Sequence, residues 1–170
     1  MLPEEVLAHP PKTLSQTQRE SYFETGYLLL DAYVGDKWMR RLLDAVGEAV
    51  EESRGITCSS SKFDIEPDHS SDNPRLRRLS NPPHHHPVFK EFSHEGPVVD
   101  VAEDLLGPSV RLHHSKLNMK PPEIGSVVEW HQDLGYYPLT NRDALAVLFY
   151  LDDADEENGC LRVLPGRHEG

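Results

Sequence analysis

Cysteine is scarce in this chain: among 170 residues only Cys58 and Cys160 carry thiols, about 100 residues apart. A chain of this size buries a core without covalent staples, so a disulfide framework is not expected, and both are read as buried or idle thiols. Long apolar runs are also missing, and no stretch approaches the roughly 18 residues of a membrane span. The opening MLPEEVLAHPPK places Glu4 and Glu5 where a signal peptide would be basic. These absences lead us to expect a soluble, cytoplasmic protein with no membrane partner. Positive charge is in deficit as well, with 17 Lys and Arg against 29 Asp and Glu and a formal net charge of -12. A phosphate backbone would be repelled, so nucleic acid is not an expected partner. What remains is a globular balance of 37% hydrophobic and 27% charged residues, together with an excess of histidine, 10 in all. That excess is the first pointer to metal.

Helical signals dominate the first part of the chain. Leu14 to Gly26 reads as a helix with Thr17 and Glu20 as a capping box and Gly26 just past its end, and Tyr27 to Leu30 follows as a short strand. Asp36 is placed to cap a longer helix in which Trp38, Leu42, Leu43, Val46 and Val50 recur at helical spacing. From Glu51 to His86 apolar density falls and Ser, Asp, Asn, Pro and Arg prevail, which predicts a long irregular segment suited to a mobile cover. Pro97 opens another helix, carrying Val98, Val101, Ala102, Leu105 and Leu106, which stops at Gly107-Pro108.

Beyond Gly107 the pattern turns to strands. Val110 to Met119, Ser126 to Asp133, Ala144 to Leu151 and Cys160 to Leu164 are the candidates, the last reached through the hairpin signal Asn158-Gly159. Helices first and strands afterwards predict an α+β fold with an antiparallel barrel or sandwich. No repeat and no internal boundary divides the chain, so residues 1–170 are expected to form one domain, with helices over 14–107 and the start of a barrel over 109–170.

The chemistry concentrates in Glu129-Trp130-His131-Gln132-Asp133. On a strand, residues two apart share a face, so the His131 imidazole and the Asp133 carboxylate stand side by side. One imidazole and one carboxylate are two legs of the 2-His-1-carboxylate triad that holds Fe(II) and leaves positions open for oxygen chemistry. Spacing alone is a poor signal, because about one such pair arises by chance in a chain with 10 histidines.

The ordered surroundings are more specific. His131-Gln-Asp133, the apolar run Leu145 to Asp152, Glu157-Asn-Gly-Cys-Leu161 and Pro165-Gly-Arg-His168 together resemble the phytanoyl-CoA dioxygenase family. Upstream, Ser115-Lys-Leu-Asn118 with Lys120-Pro-Pro122, and an opening helix ending in Gly-Tyr before a short apolar strand, look like the parts preceding the iron motif, so the resemblance covers most of residues 14–170. It implies a double-stranded β-helix of the jelly-roll or cupin kind, non-haem Fe(II), and 2-oxoglutarate as cosubstrate, with a small organic molecule hydroxylated as succinate and carbon dioxide leave. By position it implies His131 and Asp133 as metal ligands. Asn118, Phe149 and Lys116 would lie along the cosubstrate, with backbone satisfaction, core packing and solvent as their respective competing readings.

Two departures from the family pattern matter. A distal histidine and a cation for the far carboxylate of 2-oxoglutarate are expected beyond Gly170, so the barrel reads as incomplete, part of a chain of roughly 250 to 300 residues. The second is Arg167, where the family usually has Ser. His168 lies too early for the distal ligand, and its turn makes it structural. Tyr136 and Tyr137 either line the substrate entrance or pack. Arg77, in the basic knot Arg75, Arg77 and Arg78, either receives an anionic group of the substrate or is solvated. The His84–His86 run and the His113-His114 pair read as solvated or packed. Competing with the oxygenase are a jelly-roll binding module without a working iron site and a cupin-type metal enzyme that does not use 2-oxoglutarate. The substrate and the oligomeric state are not legible.

Overall fold

The computed structural model describes residues 2–120, 128–137, 139, 141 and 143–169. By internal packing the chain falls into two compact units, one comprising Met1–Val34, Gly96–Arg111 and Trp130–Gly170, the other Gly35–Glu95 and Leu112–Glu129.

In the first unit the helices are α1 (Pro3–Leu7), α2 (Gln16–Thr25) and α5 (Pro97–Leu106). Ser15, not Thr17, caps α2: its backbone is extended, its side chain accepts the Gln18 N–H, and the Gln18 side chain returns to the Ser15 N–H. Gly26 ends α2 in the left-handed region at φ 83, as its position predicted. Leu14, Val101 and Leu105 form a buried cluster against which Tyr22, Leu28, Leu30, Tyr33 and Leu145 pack. Residues 27–30 are no strand, because no ladder partner runs beside them among the described residues. Their alternation survives: Leu28 and Leu30 turn inward while Leu29 is 74% exposed.

The second unit is built on α3 (Asp36–Ser53) and a three-stranded antiparallel sheet of β1 (Phe63–Ile65), β2 (Leu76–Ser80) and β3 (Lys116–Asn118), ordered β1-β2-β3, with α4 (Pro87–Glu95) packed on α3. Gly35 occupies the cap of α3 and Asp36 sits in its first turn, where a carboxylate complements the helix dipole. The buried face of α3 is Leu42, Ala45, Ala49 and Ser53, while Leu43 is exposed. Strand β2 presents Leu76 and Leu79 to the core although they are three residues apart. A bulge at Asp64/Ile65 reconciles this with the two-residue period, since Ile65 pairs with Leu76 while Asp64 pairs with Arg78, which leaves Arg77 as the extra residue.

The segment 51–86 is therefore no irregular cover. It holds both strands of the sheet's first pair, and Phe63, Leu76 and Leu79 are each at most 2% exposed. Its loop is pinned by His69, whose Nε2 meets the Ser53 carbonyl at 3.0 Å and whose Nδ1 accepts the Arg75 N–H at 2.9 Å.

The strands expected after Gly107 are largely unformed among the described residues. Of Val110 to Met119 only Lys116–Asn118 is a strand. Residues 144–151 and 160–164 form none, and of the segment from Ser126 to Asp133 the described part is coil that enters a 3₁₀ turn, while Ser126 and Val127, like Pro121-Pro122, lie outside the described residues. A strand exists only by pairing, and these segments have no ladder partner here. The intervening turn does form: Asp155 accepts the N–H groups of Glu157 and Asn158, its carbonyl accepts that of Cys160, and Gly159 takes φ 90. Cys58 is exposed and Cys160 half-buried, both as free thiols. No helix among the described residues is long and apolar enough to cross a membrane. The architecture is α+β, and among the described residues the expected jelly-roll barrel is replaced by one small open sheet.

Candidate metal centre

His131 and Asp133 flank Gln132, whose φ of -109 and ψ of 126 are extended, and Asp133 opens a 3₁₀ turn over Asp133–Tyr136. One extended residue between them sets both side chains on one side of the chain, the relation a strand would have imposed. His131 Nε2 lies 3.1 Å from Asp133 Oδ1, and the side chains are 35% and 48% exposed. Tyr136 packs its ring edge-on to the imidazole with centroids 5.4 Å apart. Two donors bound cis to one small divalent cation with bonds of about 2.1 Å stand about 3 Å apart, so the observed separation matches an adjacent nitrogen and oxygen donor on one ion. Without an ion, the same distance is an imidazole-carboxylate hydrogen bond. The donor set fits Fe(II), and among the described residues no third histidine, cysteine or carboxylate joins the pair.

The pair is tied to another part of the same unit. The Gln132 side chain donates from Nε2 to the Arg167 carbonyl at 2.6 Å. The turn containing Arg167 is docked on the end of α2, where the Gly166 N–H donates to the Thr25 carbonyl at 2.8 Å and His168 Nε2 meets the Phe23 carbonyl at 3.0 Å. A Cβ on Gly26 would come within 2.2 Å of His168 Nδ1, so glycine there meets both a left-handed backbone and a close approach. Sequence reasoning gave Gln132 no role; its position between the two candidate ligands was the available signal.

The other candidates are divided between the two units. Asn118 ends β3 opposite Arg78, and its Oδ1 accepts from Arg78 Nε at 3.3 Å. Lys116 is exposed opposite Ser80, and strand alternation puts Lys116, Asn118, Arg78 and Ser80 on one face, with Leu79 and Leu117 on the other. Arg77 stands at the bulge with Nε 4.0 Å from Asp64 Oδ2. Tyr136 is 70% exposed, whereas Tyr137 and Phe149 are half-buried. His131, Asp133, Tyr136, Tyr137 and Phe149 belong to the first unit, and Asn118, Lys116 and Arg77 to the second.

Comparison with solved structures gives the fold class first. EctD from S. alaskensis, solved with bound Fe, superposes with a TM-score of 0.63 at 23% identity over 76% of this chain and 45% of its own. The family model described as phytanoyl-CoA dioxygenase matches residues 22–170, and the chain belongs to that family. Among relatives, a probable alpha-ketoglutarate-dependent hypophosphite dioxygenase of Stutzerimonas stutzeri is 31% identical over 153 residues, 90% of this chain and 53% of its own length. An ectoine dioxygenase of Bordetella parapertussis is 28% identical over 159 residues, 91% of this chain and 50% of its own. The chain spans about half the length of the curated relatives it matches.

Proposed function

We propose that this chain carries two of the three protein ligands of an Fe(II)- and 2-oxoglutarate-dependent dioxygenase that hydroxylates a small organic substrate. The observation that carries the reading is the 3.1 Å approach of His131 Nε2 to Asp133 Oδ1 at an accessible point of a chain in this family. Bound there, Fe(II) would supply oxygen activation coupled to conversion of 2-oxoglutarate to succinate and carbon dioxide. His131 would offer its neutral Nε2 and Asp133 one carboxylate oxygen, which leaves room at the metal for other ligands. Tyr136, edge-on to His131, would restrict the swing of the imidazole and shield one side of it from water. Asn118, Lys116 and Phe149 are proposed for the cosubstrate, as an amide, a cation and an apolar side chain, and Tyr136, Tyr137 and Arg77 for the substrate. On this reading residues 1–170 belong to a single oxygenase domain, and 144–151 and 160–164 are strands of a double-stranded β-helix once paired.

Anaerobic titration and turnover of the intact protein test the proposal. His131→Ala and Asp133→Ala should each abolish Fe(II)-dependent decarboxylation of 2-oxoglutarate while preserving the circular dichroism spectrum. Undiminished turnover in either variant refutes the ligand assignment.

A further inference from the structure

We propose that Gln132 is a positioning residue for the metal pair and that it acts through the Pro165–His168 turn. The inference rests on the reading of His131 and Asp133 as ligands. A side chain between two ligands on an extended backbone projects to the side opposite them, so Gln132 faces away from the site an ion would occupy. There it donates to the Arg167 carbonyl at 2.6 Å.

That partner is itself held. Gly166 N–H on the Thr25 carbonyl and His168 on the Phe23 carbonyl fasten the turn to the last residues of α2. Gly26 leaves the space that the His168 ring fills, since any Cβ there would collide with its Nδ1, Cγ and Cβ. The order of connection is therefore α2, the 165–168 turn, Gln132, and then the two ligands on either side of it.

The consequence is geometric. His131 and Asp133 lie at the surface, in a segment without ladder hydrogen bonds among the described residues; the 3₁₀ turn, in which the Gln132 carbonyl accepts the Gly135 N–H at 3.1 Å, holds Asp133 but leaves His131 outside regular structure. With the Gln132 tether, rotation about the Gln132 backbone that would part the two donors is resisted. Without it, two exposed donors must be ordered when the ion binds, and affinity falls. Groups that orient ligands in this way typically change metal affinity about 10- to 100-fold when removed.

Co(II) alone, followed by its visible absorption in the intact protein, tests the proposal without turnover. Gln132→Met keeps the length of the side chain and removes the donor. We expect it to weaken Co(II) binding about tenfold or more and to shift the visible bands, with the thermal midpoint of the metal-free protein unchanged. His168→Ala removes one of the two bonds that anchor the turn, leaving that of Gly166 to Thr25, and should also weaken binding. Because both act through one turn, the double variant should lose little more than the weaker-binding single variant. Additive losses, or wild-type affinity in Gln132→Met, overturn the positioning role. His131→Ala serves as the control on the underlying reading: wild-type Co(II) binding in that variant overturns the ligand assignment itself, while its loss together with unaltered binding in Gln132→Met overturns the positioning role alone.

Discussion

Asp104 does for residues 12–14 what a cap does for a helix end. Its Oδ1 accepts the Lys12 N–H at 2.7 Å, and its Oδ2 accepts those of Thr13 and Leu14 at 2.9 and 2.8 Å. Beside it, the Arg19 guanidinium donates to the carbonyls of Asp104, His9 and Val6, and Arg19 is 1% exposed. Burial alone would raise the Asp104 carboxyl, but the N–H groups of Leu14, Lys12 and Thr13 and the Arg19 charge outweigh it, so its value lies below the usual 3.8. A depressed carboxyl contributes stability that is fully present above its unfolded value and is lost as pH falls through the folded one. Asp104→Asn should therefore cost on the order of 1 to 3 kcal/mol at neutral pH. The gap to the parent should narrow below about pH 4 as the parent carboxyl takes up its proton. Urea denaturation at several pH values checks this, and a gap independent of pH refutes it. Nothing in the sequence singled out Asp104, because three backbone donors from a segment about ninety residues earlier leave no local pattern. The approach of His131 to Asp133 was legible for the opposite reason, being set by one extended residue between them, whereas their role as ligands rested on the family resemblance and stands as a proposal.

At the scale of elements, what could be read depended on length. Helices α3 and α5 are long enough for the apolar period to repeat, and both emerged where it placed them. Strands β1 and β2 are three and five residues long, lie inside a Ser-, Asp- and Arg-rich stretch, and carry a bulge that breaks alternation, so composition concealed them. Conversely, the apolar run at 144–151 has the composition of a strand and forms no ladder among the described residues. The burial of Leu79 at 1% makes β2 a packed element, and Leu79→Ala should destabilise by about 2 to 5 kcal/mol. Leu43→Ser, on the exposed side of α3, should stay within about 0.5 kcal/mol of the parent. Chemical denaturation measures both, and equal effects would mean that the face of α3 is assigned wrongly. The sheet also predicts that proteases cut residues 63–80 slowly, against the composition of that stretch.

At the scale of the whole molecule, two facts point the same way. Val147, Leu148, Tyr150, Leu161, Val163 and Leu164 are between 44% and 60% exposed, and relatives are about twice as long as this chain. Exposed apolar side chains are concentrated in these two segments, which have the composition of strands yet form no ladder among the described residues. Leu145 is the inward exception, packed on the Leu14, Val101 and Leu105 cluster. The prediction is that residues 1–170, expressed alone, bind a hydrophobic dye and self-associate as concentration rises. Leu148→Ser with Leu164→Ser should reduce both signals and leave unfolding within about 0.5 kcal/mol, since neither side chain is buried in this chain. In a chain of the relatives' length the same pair of substitutions should instead cost several kcal/mol, because each Leu would then be burying its side chain against a paired strand. Dye binding, light scattering and urea denaturation on both lengths separate the cases. Equal, small costs in the two would show that residues 144–164 remain unpaired in the longer chain and would remove them from the barrel.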